Sequence, residues 1–201
     1  MGYETNFMGT WDVTPPLSSQ HRAYLDAFAA SRRQMYHAAV LEGIADPLRV
    51  AAGLPIGEDG CYFVNEKGVS IPWTSAGLDL EPPSEVVSRR AVKDTNRPPA
   101  GQPSLWCGWL PSDGGEEIYG QDGKFYDYID WAKYIVTHFL EPWGYKLNGT
   151  VEWRGEEDDD RGLLTFTDNA LKVVLAQVRW RTAGTWTVEG GYKKEQWADD
   201  D

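Results

Sequence analysis

Eight apolar side chains between Phe125 and Leu140 recur at three- and four-residue steps: Phe125, Tyr128, Ile129, Ala132, Ile135, Val136, Phe139 and Leu140. That spacing puts them on one face of an α-helix, which Pro142 to Gly144 ends. A helix with one broad apolar face must lie on something. The flanking segments supply it, because their apolar residues alternate with period two, as strands with one buried face do. Before the helix, Leu105 to Leu110 and Glu116 to Tyr119 flank the turn Ser112-Asp113-Gly114-Gly115. After it, Leu147, Gly149, Val151 and Trp153 alternate with Lys146, Asn148, Thr150, Glu152 and Arg154. Leu163–Thr167 and Leu171–Leu175 then flank Asp168-Asn169, a good two-residue hairpin turn.

The amino-terminal segment completes the pattern. Over residues 3–13, Tyr3, Phe7, Trp11 and Val13 face one way and Glu4, Asn6 and Asp12 the other, until Pro15-Pro16 stops the strand. Ser18 or Ser19 caps a helix that presents Tyr24, Leu25, Phe28 and Ala29 and runs to about Val40. The order is strand, helix, strand, strand, helix, strand, then a hairpin. It predicts an α+β fold: a ferredoxin-like βαββαβ sandwich, an antiparallel sheet with two helices on one face, extended by a C-terminal β-hairpin. Residues 43–103 interrupt it with eight of the twelve prolines. They read as a long irregular insertion holding a short helix near Asp46–Ala52 and a hairpin near Cys61–Ile71. Residues 1–175 thus form one domain. Residues 176–201 are a tail with room for a further hairpin around Trp180 and Trp186 and a frayed acidic end.

Charge narrows the function. Among 201 residues, 31 Asp and Glu face 19 Lys and Arg, a formal net charge of −12. Direct binding to nucleic acid or to an anionic membrane needs basic surface, so neither is expected. No apolar stretch is long enough to span a bilayer, and the opening Met1-Gly2-Tyr3-Glu4 has no leader pattern. Cys61 and Cys107 are too few for a disulfide framework or a four-cysteine zinc site. A cytoplasmic protein is expected.

Several blocks also look familiar in combination: Arg97-Pro98-Pro99-Ala100-Gly101-Gln102-Pro103-Ser104-Leu105-Trp106-Cys107-Gly108-Trp109, Pro142-Trp143-Gly144-Tyr145-Lys146-Leu147-Asn148-Gly149, Val151-Glu152-Trp153 with Asp159-Asp160-Arg161-Gly162, and the opening Gly2-Tyr3-Glu4-Thr5. The chain resembles an uncharacterised family of small acidic proteins carried by bacteria and their phages. The likeness covers the first 20 residues and roughly 97–175. It implies an origin in a phage or mobile element and brings no activity with it.

No catalytic signature stands out. His21, His37 and His138 have no partner at triad or zinc spacing. Gly120-Gln121-Asp122-Gly123-Lys124 lacks the Walker spacing. Trp11, Trp106, Trp109, Trp131, Trp143 and Trp153 read as core, because a base-stacking platform would need basic neighbours. What remains is acidic surface. Asp127, Asp130, Tyr134, Thr137 and Glu141 sit at helical steps opposite the apolar face, and Glu156-Glu157-Asp158-Asp159-Asp160 forms an acidic turn. Between Ser104 and Ala170 there are 14 acids and five bases, a balance of −9. A non-catalytic binding protein follows, contacting a host or defence protein with a basic surface through Asp127, Asp130, Glu141, Glu157, Asp158 and Asp159. No cofactor or metal is expected on this reading, and the oligomeric state stays open. Two alternatives stand beside it. One is a metal-dependent hydrolase that draws ligands from the acidic turn plus Glu152 or Asp168. The other is a structural or self-assembling component that uses the tryptophans of the tail.

Overall fold

The computed structural model describes residues 2–64 and 90–176. In chain order the elements are β1 (Thr5–Met8), β2 (Trp11–Thr14), α1 (Ser19–Ala30), β3 (Met35–Tyr36), α2 (Ala38–Leu41), α3 (Pro47–Ala51) and β4 (Val92–Asp94). There follow β5 (Trp109–Pro111), β6 (Glu117–Gly120), α4 (Tyr128–Ile135), β7 (Lys146–Gly155), β8 (Arg161–Thr167) and β9 (Ala170–Leu175). Seven strands form one antiparallel sheet in the order β5-β6-β2-β7-β8-β9, with β1 also on β7; β3 and β4 make a separate ribbon. The chain is therefore mixed α and β, built on an antiparallel sheet.

The first strand is broken rather than continuous. β2 pairs with Lys146–Gly149 of β7 and β1 with Glu152–Gly155, so one long strand backs two short ones. Gly9 and Gly149 make the bend together. Both have positive φ, and a Cβ on Gly9 would lie 2.7 Å from the Thr150 carbonyl oxygen, while one on Gly149 would lie 3.0 Å from that of Thr10. Only glycine adopts such a backbone at no steric cost.

Along β2, β7 and β8 every second side chain points to the helices: Trp11, Val13, Leu147, Val151, Trp153, Leu164 and Phe166 are all buried. Against them α1 sets Tyr24, Leu25 and Phe28, and α4 sets Trp131, Ala132 and Ile135. Each fully buried indole finds an acceptor. Trp11 Nε1 donates to the Leu164 carbonyl, Trp109 Nε1 to that of Tyr128, Trp131 Nε1 to Ser104 Oγ and Trp153 Nε1 to Asp160 Oδ1, all between 2.8 and 3.1 Å.

α1 ends ten residues earlier than its apolar spacing predicts. Ser18 caps it through the His21 N–H, but Ser31 is already extended. The cause is tertiary pairing: the N–H groups of Met35 and His37 donate to the carbonyls of Arg97 and Ala91, drawing this stretch into the β3–β4 ribbon. The expected short helix is present as α3, capped by the Asp46 carboxylate on the Arg49 N–H. Where a hairpin near Cys61 was expected, residues 58–60 form a 3₁₀ turn with no strand over 61–64, and the rest of that hairpin lies outside the described residues.

The described parts of the insertion carry a second small core of Tyr36, Leu41, Phe63 and Ala91. Arg33 joins it to the sandwich. Its guanidinium is fully buried, lies 4.1 Å above the Phe28 ring, and donates to the carbonyls of Cys61 and Phe63 and to Gln102 Oε1. No carboxylate among the described residues lies within salt-bridge distance of it.

Candidate functional site

The acidic positions divide between two ends of the molecule. Asp127 stands immediately before α4 in the left-handed conformation (φ 55°), which a short polar side chain tolerates. It makes no side-chain cap, it is exposed, and its carboxylate has no partner among the described residues. Asp130 follows in the first turn, where the helix dipole favours an anion. Its ion pair with Lys133 at 2.9 Å is solvent-exposed at both partners and so contributes little.

Beyond this turn the expected acidic stripe fails. Tyr134, read as part of the exposed face, is buried; it stacks on His138 at 4.1 Å and accepts from Gln102 Nε2. The reason is tertiary cover: Phe28 of α1 and Gln102 lie over this side of the helix. After Ile135 it widens into a π turn over Val136–Leu140, with the Glu141 N–H reaching back five residues to the Val136 carbonyl. One extra residue per turn rotates everything after it. Glu141 is exposed, but fourteen residues of helix put it about 20 Å from Asp127.

The β7–β8 connection supplies the rest. Asp160 is turned inward: its carboxylate accepts from Tyr3 Oη at 2.6 Å and from Trp153 Nε1, and its carbonyl accepts from the Gly155 N–H. That bond to Asp160 is the main reason the Tyr3 phenol sits above its ordinary pKa. Glu156 accepts from the Glu4 N–H. Asp158 holds a loose pair with Arg161 at 3.7 Å. Glu157 and Asp159 are exposed, with no ion pair among the described residues. So of five consecutive acids, one builds the turn and three project from it.

The two acidic groups meet through Tyr128. Its ring lies 5.7 Å from that of Trp153, and its phenol is pushed up first by burial and then by the charges of Asp160 and Tyr3. The Tyr128 side chain of α4 therefore lies beside the β7–β8 hairpin; Asp127 and Asp130 flank it in the chain, and Glu157, Asp158 and Asp159 stand exposed on the turn that follows Trp153. Glu141 stands apart.

Other candidates resolve into packing. His21 lies flat on Trp143 at 4.0 Å and bonds Tyr145 Oη; His138 bonds Tyr62 Oη, and burial lowers the pKa of both rings. Burial pushes the Cys107 thiol up to about 12 and raises Cys61 as well, so neither is a ready nucleophile. Among the described residues no three His, Cys, Asp or Glu side chains are gathered as a metal site. Asp168 belongs to the β8–β9 turn, and Glu152 lies within β7 opposite Leu163. No helix among the described residues is long and apolar enough to cross a membrane.

One tryptophan departs from the expected core. Trp106 is 39% exposed, whereas Trp11, Trp109, Trp131 and Trp153 are buried. It precedes β5, which begins only at Trp109. Trp180, Trp186 and Trp197 lie outside the described residues. Compared with known proteins, the chain matches no family model, no curated protein and no solved structure.

Proposed function

We propose that this chain is a non-catalytic binding protein that docks a basic surface of a protein partner through the acidic end formed by Asp127, Asp130, Glu157, Asp158 and Asp159. The observation that carries the reading is that Tyr128, between Asp127 and Asp130 in the chain, packs on Trp153 close to Asp160 of the acidic turn, while all five acids are exposed and form no buried ion pair among the described residues. Such a surface steers and selects a cationic partner more than it adds raw affinity. The family resemblance makes an accessory protein of a phage or mobile element the natural setting, with a cytoplasmic host or defence protein as partner. The ferredoxin-like description of the fold belongs to the same proposal. Its support is that, with β1 and β2 counted as one bent strand and the β3–β4 ribbon set aside, the second, third, first and fourth strands of the large sheet lie side by side as β5-β6-β2-β7.

The test is retention of a bacterial protein from nuclease-treated lysate on the immobilised full chain, at low and at high salt. A single protein held at low salt and released at high salt by the wild type, and not held when the five acids are changed to Lys, is the expected result. Equal retention by wild type and the five-Lys variant overturns the reading. Glu141→Lys, at the other end, is the matched control.

Self-assembly is favoured by a separate observation. Val173, Val174 and Leu175 on β9, at one edge of the sheet, are exposed, with Leu175 at 70%. Exposed apolar edges invite pairing with another chain. Light scattering across a concentration series decides this reading, and a constant monomer mass removes it.

A further inference from the structure

Between the end of α1 and the loop joining β6 to α4 lies an open cleft of about 370 Å³, a volume within the range of small-ligand pockets. Ala29, Ala30 and Phe125 give it an apolar lining; Trp106, Asp122 and Lys124 give it an aromatic face and two charges. Two features of this lining favour a planar cation. The exposed part of the Trp106 indole offers a π face, on which a guanidinium stacks better than an ammonium. Asp122 accepts from the Phe7 N–H through Oδ1, and Oδ2 has no hydrogen-bond partner among the described residues.

Among the described residues Lys124 is the one cation lining the cleft, and its stem is drawn toward the amino terminus. A Cβ placed on Gly2 would lie 2.6 Å from its Cε. The two alanines offer smooth surface for a three-carbon arm. The loop that carries Asp122 runs on to Asp127, so the cleft adjoins the acidic end.

We propose that this cleft anchors one arginine side chain of the basic partner, its guanidinium stacked on Trp106 and paired with Asp122; the inference rests on the acidic-surface reading above. It gives that surface a hot spot of the usual kind, an aromatic pocket inside a ring of weaker polar contacts.

Calorimetric titration of the full chain with hexa-arginine and with hexa-lysine at low salt tests it. The wild type should prefer the arginine peptide by about fivefold, the scale of one stacked cation at a partly exposed site. Trp106→Ala should erase that preference while still binding both peptides, Trp106→Tyr should keep part of it, and Asp122→Asn should weaken the arginine peptide more than the lysine one. Equal binding of both peptides by the wild type, or an unchanged preference in Trp106→Ala and Asp122→Asn, overturns the anchor and leaves the acidic-surface reading standing. Failure of the wild type to bind either peptide overturns both.

Discussion

The sandwich interior and the smaller lobe built from residues 33–63 and 91–102 touch each other, yet they are closed by different forces. Between α1, α4 and the sheet, stability is spread over many interlocked rings: Phe28 alone meets Trp131, Tyr134 and Phe139 within 6.2 Å. No one of them holds the rest. The lobe's own core, among the described residues, is a cluster of four buried apolar side chains and one guanidinium that satisfies three acceptors on two segments. A distributed apolar core degrades in small steps, whereas a pinned lobe depends on its pin.

That contrast is open to breakage. Arg33→Ala should give the largest loss, on the order of 4 kcal/mol, since it leaves the Phe63 carbonyl and Gln102 Oε1 buried without their donor and the Cys61 carbonyl with Gln102 Nε2 alone. Denaturant unfolding measures it. Hydrogen exchange should show the Met35 and His37 amides, which bond to the Arg97 and Ala91 carbonyls, opening ahead of those of β7. Uniform acceleration across the sheet would mean that the lobe and the sandwich are one unit. Leu164→Ala, in the distributed core, should cost about 3 kcal/mol through lost burial and a cavity. Gly149→Ala should cost about 2 kcal/mol, because it strains a φ of +118° and crowds the Thr10 carbonyl.

The same contrast explains what could be read from residues alone. The β8–β9 hairpin was legible because turn chemistry and alternation agree there; Asp168 and Asn169 both take the positive φ that such a turn demands. The buried face of α4 was legible for the same kind of reason. Arg33 was not, since nothing local marks an arginine that will be buried, against the habit of its type. The π turn is hidden too, because three- and four-residue spacing up to Leu140 fits a regular helix equally well, and nothing local shows that Phe28 and Gln102 will cover Tyr134. The acidic turn was visible as a run of five carboxylates. That Asp160 is spent on Tyr3 depends on a contact across 157 residues. Trp106 was read as core because tryptophan usually is.

A smaller effect should follow pH. Burial holds His21 and His138 below the usual imidazole value. The unfolded chain therefore takes up protons first as pH falls below about 6.5, so this contribution is complete above that pH and declines below it toward the folded-state values. Melting temperatures between pH 7.5 and 5.5 should fall, and the double variant His21→Gln, His138→Gln should flatten the slope. An unchanged slope would show that other groups govern it.

The smallest effect on stability is expected where the effect on function is greatest. Asp127, Asp130, Glu157, Asp158 and Asp159 are exposed and support no buried group. The decisive measurement is one preparation of the five-Lys variant, assayed for thermal midpoint and for partner retention at low salt. The account predicts a midpoint within about 3 °C of wild type, as surface substitutions usually give, together with loss of the retained protein. Retention equal to wild type, or a midpoint lowered by ten degrees or more, would contradict it.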